Sequence, residues 1–293
     1  MPELLTSDGL TLHLRTWPVA TAAPRGKVLI VHGLGEHSGR YDHVAAQLAA
    51  DGWAVQAYDQ RGHGRSNGRR GGLAAEHSLL DDLGRVIQAA REQTSGPLVL
   101  LGHSLGGLLV GRFVAEGLAE RPASWWRPVD ALVMSSPALD LGMNLAQQLL
   151  LAVAAPLAPD LALGNGLKPA WVSNDPMVVR AYIDDPLVHD RISPRLVRFM
   201  LAAGQQVQEA APRWTLPTLL LYAGADRCVA PRGSAAFAAA APSARLRSRR
   251  YDGLAHEIFN EPEQGRVFSD LSHWLTALSA DSLNPRTAAE ETP

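Results

Sequence analysis

Short apolar runs and longer amphipathic segments alternate along most of this chain. Apolar runs bounded by turn residues are typical of buried strands, and apolar residues spaced three or four apart are typical of helices that cover a sheet. These patterns predict strands at residues 10–17, 27–31, 53–58, 98–101, 131–135, 218–222 and 246–251, and helices at residues 41–51, 79–94, 106–118, 234–241 and 263–278. The alternation indicates an α/β fold with a mostly parallel central sheet flanked by helices.

Residues 98–107, LVLLGHSLGG, carry the strongest local signal. Four apolar residues enter a G-x-S-x-G turn at 102–106, and helical spacing follows the turn. In such a nucleophile elbow, glycines permit a tight, strained turn that exposes the serine hydroxyl, and the next helix points its N-terminal amides at a developing oxyanion. We therefore predict that Ser104 is a nucleophile rather than an ordinary turn serine.

The strand–helix rhythm stops between residues 137 and 214. Residues 145–163 are largely apolar and residues 174–198 have mixed helical spacing, so we predict a strandless helical insertion that covers the carboxyl edge of the sheet. The apolar stretch is either one buried core helix or, as we favour, an amphipathic lid that lines an acyl pocket and touches lipid surfaces. The predicted divisions are a first core part at 1–137, a helical cap at 138–213, a second core part at 214–280 and a flexible tail at 281–293.

Net charge, apolar runs and cysteine content limit the partners and the cellular location that we expect for this protein. The net charge of −2 gives no basic field, so we expect no nucleic-acid partner. The N-terminal residues show no signal-peptide pattern, and no apolar run reaches the roughly 18 residues of a membrane-spanning helix. The single cysteine, Cys228, fits a reducing compartment, so we expect a cytoplasmic protein, peripheral to membranes where the lid touches lipid. Nothing in the sequence indicates the oligomeric state.

A serine hydroxyl needs a base and a group that orients the base. In an α/β-hydrolase sheet the chain order is serine, acid, histidine, with the acid at the end of a later strand and the histidine on a late loop. Asp226 ends the run TLLLYAGAD, and His256 lies in the loop between the last strand and the last helix. We predict these two residues as orienting acid and base.

The competing candidates have poorer placements. Asp252 lies too close to the end of its own strand, and Asp130 precedes its strand. His273 falls inside the last helix, His189 lies in the insertion, and His103 sits in the elbow with its side chain expected to face away from Ser104 as a structural hydrogen bonder. The spacings of four histidines match no known zinc motif; these are His32, His37, His43 and His63. We therefore expect no metal site and no cofactor.

Two glycine-rich loops follow predicted strands. The loop HGLGEH at 32–37 lacks dinucleotide-binding spacing but offers the backbone N–H of Leu34 as an oxyanion donor. The loop DQRGHGRS at 59–66 is dense in glycine and charge. The loop either takes part directly in catalysis or, as we favour, is a structural turn held by a pair between an aspartate and an arginine.

Six motifs taken together resemble monoacylglycerol lipases, within the α/β-hydrolase group that also contains lysophospholipases and serine aminopeptidase-like hydrolases. The resemblance extends from about residue 10 to residue 278, and its specificity lies in the order of the motifs. These are HGLGEHSGRY (32–41), DQRGHGRSNG (59–68), GHSLGG (102–107), DPLVH (185–189), GADRCV (224–229) and GLAHEIFNE (253–261).

The resemblance implies an α/β-hydrolase with a helical cap that cleaves lipid esters without a cofactor, most simply monoacylglycerols to glycerol and fatty acid. It implies a catalytic triad and two backbone oxyanion donors, which are Ser104, Asp226, His256, Leu34 and Leu105. The alternatives are a general carboxylesterase or lysophospholipase, an aminopeptidase or amidase, and a non-catalytic binder on the same fold. The expected partner is a small lipid or ester, with transient membrane or micelle contact through the cap.

The resemblance also bears on the substrate pocket. It places Glu36 and Arg40 near the glycerol end, although an ion pair that braces the loop explains them equally well. Some family members have a second histidine three residues after the catalytic one, and Phe259 stands there in this chain, which predicts looser head-group recognition. Leu149 is expected to line the acyl side of the pocket. Cys228 is either a thiol-reagent target or, as we favour, a small buried side chain.

Overall fold

A computed structural model describes residues 3–19, 21, 23–94 and 96–282. Eight strands form one sheet in the order β1-β2-β4-β3-β5-β6-β9-β10, and β7 and β8 form a separate pair. The strands are β1 (Glu3–Leu5), β2 (Thr11–Trp17), β3 (Lys27–Val31), β4 (Ala54–Tyr58), β5 (Leu98–His103), β6 (Ala131–Ser135), β7 (Leu163–Gly164), β8 (Arg191–Ile192), β9 (Thr218–Ala223) and β10 (Leu246–Tyr251). The helices are α1 (Asp42–Ala50), α2 (Ser78–Glu92), α3 (Leu105–Glu116), α4 (Leu145–Leu157), α5 (Pro176–Asp184), α6 (Pro194–Ala210), α7 (Pro231–Ala240) and α8 (Gln264–Ser282).

The central sheet is mostly parallel, as the alternation of strands and helices predicts. Strands β3, β4, β5, β6, β9 and β10 run parallel, β2 pairs antiparallel with β4, and β1 pairs antiparallel with β2. The hairpin strand β1 escaped prediction because three residues are too few to establish an alternating pattern.

The sheet divides the core into two layers. Along β5, Leu98 and Leu100 face the layer that holds α2, α3 and α6, whereas Val99 and Leu101 face the layer that holds α1 and α8. Because successive side chains of a strand point to opposite faces, a strand covered by helices on both sides must be apolar throughout. This explains the unbroken apolar runs in β3, β5 and β6.

Between β6 and β9 the chain forms α4, α5 and α6. The prediction of a strandless insertion was wrong in one detail, because β7 and β8 pair antiparallel. Each of these strands has two residues, so their pairing depends on tertiary proximity rather than on a sequence pattern. Helix α6 packs along α3 and buries Leu196, Phe199 and Val207 in the core beneath it.

Helix α4 presents an exposed apolar face. Five of its large apolar residues have 60–78% of their surface exposed, namely Leu145, Leu149, Leu150, Val153 and Leu157. The alternative of a buried core helix for this stretch is therefore wrong. None of the helices in the described part of the chain combines the length and the apolar character needed to cross a bilayer.

The end of the chain differs from the expectation at one boundary. Helix α8 continues to Ser282, so residues 281 and 282, which were predicted to begin the flexible tail, are helical. The rest of that predicted tail, residues 283–293, lies outside the described residues.

Candidate active site

Ser104 occupies a strained turn between β5 and α3. Its backbone has φ +54° and ψ −118°, a conformation that non-glycine residues rarely adopt. A side chain at Gly102 would overlap the carbonyl of Gly106, and one at Gly106 would overlap the carbonyl of Val31. These close approaches explain why the turn has glycine two positions before and two positions after the serine.

Asp226 and His256 meet at the carboxyl edge of the sheet. Nδ1 of His256 lies 2.6 Å from Oδ2 of Asp226, and both side chains are buried. The other Asp226 oxygen accepts hydrogen bonds from the backbone N–H groups of Cys228 (2.8 Å) and Val229 (3.0 Å). The carboxylate is thus held in one orientation by its own loop and presents its second oxygen to the imidazole.

The electrostatics of this pair favour a charged carboxylate beside a basic imidazole. Burial disfavours protonation of His256, but the adjacent Asp226 carboxylate outweighs burial and raises the pKa of His256 above its ordinary value. Burial likewise opposes ionisation of Asp226, yet His256 and the two backbone donors lower the pKa of Asp226. A carboxylate that stabilises the imidazolium is the arrangement that a serine nucleophile requires.

Ser104 and His256 line the same cavity, which has a volume of about 40 Å³. Leu34, in the loop after β3, lines it as well. Leu105 is the first residue of α3, where backbone N–H groups have no acceptor within the helix. The structure therefore brings the three predicted triad residues and the two predicted oxyanion donors to one edge of the sheet.

The loop after β3 is fixed by a buried carboxylate. Glu36 accepts hydrogen bonds from the backbone N–H of Gly33 (2.5 Å) and from the hydroxyl of Tyr41 (2.7 Å). Burial opposes ionisation of Glu36, but Arg40, two nearby histidines and the Tyr41 hydroxyl together outweigh burial and lower the pKa of Glu36 to about 2. A side chain at Gly33 would lie 3.0 Å from Cβ of Ser104, so glycine there lets the loop approach the elbow closely.

Arg40 holds two buried carboxylates. Its guanidinium contacts Glu257 through both terminal nitrogens (2.5 and 2.8 Å) and Glu36 through one of them (3.0 Å). It also lies over the ring of Tyr182 in α5, 4.8 Å from the ring centre. Glu36 and Glu257 line the Ser104 cavity, so this ion network forms part of its wall.

The predicted pocket residues differ in position. Glu36 lines the Ser104 cavity, and Arg40 supports it from behind through the two carboxylates. Phe259 lines a separate void of about 10 Å³ and packs against Phe268. Leu149 is 69% exposed on α4 and is not among the residues that line the Ser104 cavity.

Sequence reasoning missed several residues that line the cavity. Glu257 directly follows His256, and that adjacency was its one available signal. The segment between β6 and β9 contributes Lys168, Val172 and Tyr182, whose approach to Ser104 depends on the path of this long insertion. No pattern in the sequence marks these three residues.

The histidine of the elbow and the loop 59–66 have structural contacts. Nδ1 of His103 lies 3.1 Å from the hydroxyl of Ser135, and burial together with His256 lowers the pKa of His103 to about 4. The expectation that His103 faces away from Ser104 is wrong, because His103 lines the Ser104 cavity and its ring centre lies 4.7 Å from that of His256. The predicted pairing within the loop is wrong for Arg61, which forms its ion pairs outside the loop, with Asp8 and Asp82. Asp59 accepts hydrogen bonds from Ser38 and from the backbone N–H of Arg65, so the loop is tied to its neighbours as well as to itself.

Comparison with known proteins connects this geometry to a family. The sequence profile of the Hydrolase_4 family, described as serine aminopeptidase, S33, matches residues 22–263. A monoacylglycerol lipase from Mycolicibacterium smegmatis is 35% identical over 258 residues, which span 87% of this chain and 89% of that enzyme. An uncharacterized abhydrolase domain-containing protein from Dictyostelium discoideum is 34% identical over 275 residues, or 93% of this chain but 28% of that protein.

A solved structure agrees with the sequence comparisons. The crystal structure of a monoacylglycerol lipase from Paleococcus ferrophilus matches with a TM-score of 0.78 at 34% identity, over 91% of this chain and 99% of that one. Fold, elbow and family profile therefore agree, and the predicted α/β-hydrolase fold is confirmed. The chain belongs to the Hydrolase_4 family of α/β-hydrolases, with monoacylglycerol lipases among its relatives, and is a carboxylic ester hydrolase.

Proposed function

We propose that this chain hydrolyses monoacylglycerols to glycerol and fatty acid through a Ser104–His256–Asp226 triad. The observation that carries the proposal is the buried 2.6 Å contact between His256 and Asp226, in a cavity that His256 shares with a strained elbow serine. The substrate class is supported by the two monoacylglycerol lipases among the relatives, from Mycolicibacterium smegmatis at 35% identity and from Paleococcus ferrophilus at 34%.

In the proposed mechanism, Nε2 of His256 accepts the Ser104 proton as the hydroxyl oxygen attacks the acyl carbonyl. The N–H groups of Leu34 and Leu105 donate to the oxyanion of the tetrahedral intermediate. Collapse of that intermediate expels glycerol, which takes its proton from His256. Water then repeats the sequence on the acyl-enzyme and releases the fatty acid.

We assign the polar end of the pocket to the wall formed by Glu36, Arg40 and Glu257. Glu36 and Glu257 each line the cavity, and Arg40 fixes their positions. Their carboxylate oxygens offer acceptors to glycerol hydroxyls, whereas Phe259 packs into a separate void and offers none. The loop-bracing and substrate-facing interpretations of Glu36 and Arg40 are thus compatible.

We propose that residues 138–213 act as a cap whose α4 face rests on lipid aggregates. The five exposed apolar residues of α4 form the contact surface, and a surface of this kind is stabilised when lipid replaces water against it. The bound acyl chain would leave the aggregate at this point and enter the site. In this proposal Leu149 contacts the lipid surface from which the chain departs.

An aminopeptidase activity is the second candidate, because the family description names it. A free amino terminus needs an unneutralised carboxylate near the scissile bond. Glu36 and Glu257 are the carboxylates that line the cavity beside the triad, and Arg40 already pairs with both of them. The trio keeps a net charge of −1, so the preference for an ester substrate rests on the monoacylglycerol lipases among the relatives.

A turnover panel tests the proposal. It compares the native protein with Ser104→Ala on medium- and long-chain monoacylglycerols, a diacylglycerol, a lysophospholipid, short p-nitrophenyl esters and an aminoacyl anilide. We expect fast turnover of monoacylglycerols that is lost in Ser104→Ala, with unchanged folding by circular dichroism. Activity on short activated esters alone would replace the proposal with a general carboxylesterase, and anilide cleavage would replace it with a peptidase.

A further inference from the structure

A buried thiol lies beside the proposed triad and takes no part in the mechanism above. Cys228 is the single cysteine of the chain and is 9% exposed. Its side chain lines the same cavity as Ser104 and His256. Within the described part of the chain, its sulfur has no hydrogen-bonding or disulfide partner.

Three different donor atoms converge at this point. Asp226, Cys228 and His256 each offer one ligand atom, and these atoms lie within 4.8 Å of one another. Ligand atoms around a tetrahedral zinc ion are about 3.5 Å apart, given metal–ligand bonds of about 2.0–2.3 Å. Binding therefore requires the widest separation to shorten by about 1 Å and the 2.6 Å contact between Asp226 and His256 to open by about 1 Å.

We propose that Asp226, Cys228 and His256 form an inhibitory site for a thiophilic divalent cation such as Zn²⁺. Sulfur, imidazole nitrogen and carboxylate oxygen form a donor set that Zn²⁺ and Cd²⁺ bind well, whereas Mg²⁺ prefers oxygen ligands throughout. Cys228 and His256 line the cavity of about 40 Å³, which gives the ion a path to these two ligands and room for a water molecule as fourth ligand. Asp226 lies behind them, in contact with His256.

Coordination changes protonation and no oxidation state. The Cys228 thiol loses its proton to solvent as the sulfur–metal bond forms, and the water ligand completes the coordination. If the metal binds Nδ1 of His256, the proton shared with Asp226 also leaves. Because Asp226 lies against Nδ1, an ion that binds both residues must take Nδ1. The ion then replaces Asp226 as the partner of Nδ1 and withdraws electron density from the ring, so Nε2 becomes a poorer acceptor of the Ser104 proton.

The proposed ion inhibits the enzyme and is not a cofactor, so turnover does not require a metal at this site. Coordination by the three side chains does not depend on the activity proposed above, whereas inhibition rests on that proposed function. The experiment therefore needs a readout of binding that works on an inactive protein.

Cobalt absorption and zinc inhibition together supply the test. Co²⁺ added to the native protein should give a thiolate-to-cobalt charge-transfer band in the near ultraviolet, and Zn²⁺ should abolish it. Cys228→Ser should give no such band, which identifies the thiolate without reference to catalysis. Zn²⁺ should also slow ester turnover and fluorophosphonate labelling of Ser104 in the native protein.

Cys228→Ser keeps the backbone donor to Asp226 and removes only the soft ligand. We expect the inhibition constant of Zn²⁺ for Cys228→Ser to rise by more than about tenfold. Removal of a residue that only hydrogen-bonds to a metal ligand already lowers metal affinity about tenfold or more, and Cys228 is proposed to bind the metal directly. Each variant is compared with and without metal, so a change in basal rate cancels. Cys228→Ala provides a second thiol-free variant should serine destabilise this buried position, and Mg²⁺ provides the hard-cation control.

Three results would overturn the proposal. The first is the absence of a charge-transfer band in the native protein, which would deny the coordination itself. The second is equal Zn²⁺ inhibition of native protein and thiol-free variants, which would place the inhibiting ion elsewhere. The third is a cobalt band without any effect of Zn²⁺ on labelling of Ser104, which would separate the ion from the triad.

Discussion

The Asp226 carboxylate holds Nδ1 of His256 at 2.6 Å while two backbone N–H groups of its own loop hold its other oxygen. The carboxylate is therefore held in one position, and the imidazole tautomer with its proton on Nδ1 is favoured. This leaves Nε2 unprotonated, as the proposed transfer of the Ser104 proton requires.

Replacement of Asp226 by asparagine should lower kcat by roughly 10⁴-fold, because an amide can favour the wrong imidazole tautomer and cannot stabilise the imidazolium. The measurement is turnover of a monoacylglycerol, with the thermal midpoint recorded in parallel. A variant that keeps more than about a tenth of the native rate would identify another residue as the acid.

The activity should have an acid limb whose midpoint lies above pH 6.5, the ordinary histidine value. The base must be neutral, and the Asp226 carboxylate outweighs burial to raise the pKa of His256, so its protonated form persists to higher pH. The check is the dependence of kcat/KM on pH. The limb should shift to lower pH in Asp226→Asn, and an unshifted limb would show that another group controls it.

Gly35→Ala should destabilise the protein more than Gly9→Ala. Both glycines have nearly the same positive φ (+78° and +85°), but a side chain at Gly35 overlaps the carbonyl of His189 in the cap, whereas one at Gly9 meets no atom within 4 Å. Gly9→Ala should cost about 1–2 kcal/mol from the backbone conformation alone.

The overlap should cost Gly35→Ala a further 1–3 kcal/mol or so in the free energy of unfolding. Chemical denaturation measures both variants. Turnover should also fall in Gly35→Ala, because the displaced loop carries the Leu34 N–H. Equal stabilities would mean that the cap segment at His189 moves away without cost.

Arg40→Ala should be among the most destabilising single changes at the site. It leaves Glu36 and Glu257 buried without their shared cation, and removal of one partner from a buried ion pair costs about 3–5 kcal/mol. The control is Arg180→Ala, which breaks an exposed pair with Asp184 and should change stability by less than about 1 kcal/mol. A small effect at Arg40 would mean that the two carboxylates become protonated or hydrated at little cost.

Charge on the exposed face of α4 should weaken vesicle binding. Leu149→Glu and Leu150→Glu place carboxylates on the proposed lipid-contact surface, where both leucines are 69% exposed, so the fold should not suffer. Co-sedimentation with phospholipid vesicles is the measurement. Ala277→Glu adds the same charge on an exposed position of α8 and should leave binding unchanged. Binding that is insensitive to the α4 changes would remove the membrane role from the cap.

The sequence by itself determined all strands of the large sheet except β1, and the chain order of the proposed site residues. Apolar runs predict β3, β5, β6 and β9 because a strand covered on both faces cannot hold exposed polar residues. The glycines around Ser104 predict the elbow because the turn leaves no room for side chains. Asp226 and His256 follow from their position after later strands, since the carboxyl ends of parallel strands share one edge.

Tertiary structure alone decided how the remainder of the site is assembled. The Arg40–Glu257 pair joins residues 217 positions apart, and Tyr182 and Val172 reach the cavity through a long insertion whose path no periodicity records. The two-residue strands β7 and β8 pair only because the cap folds back on itself. Local spacing determines whether a segment forms a strand, a helix or a turn, whereas contacts between distant segments depend on the packing of the whole chain. For that reason the Cys228 thiol is seen as a possible metal ligand only in the tertiary structure.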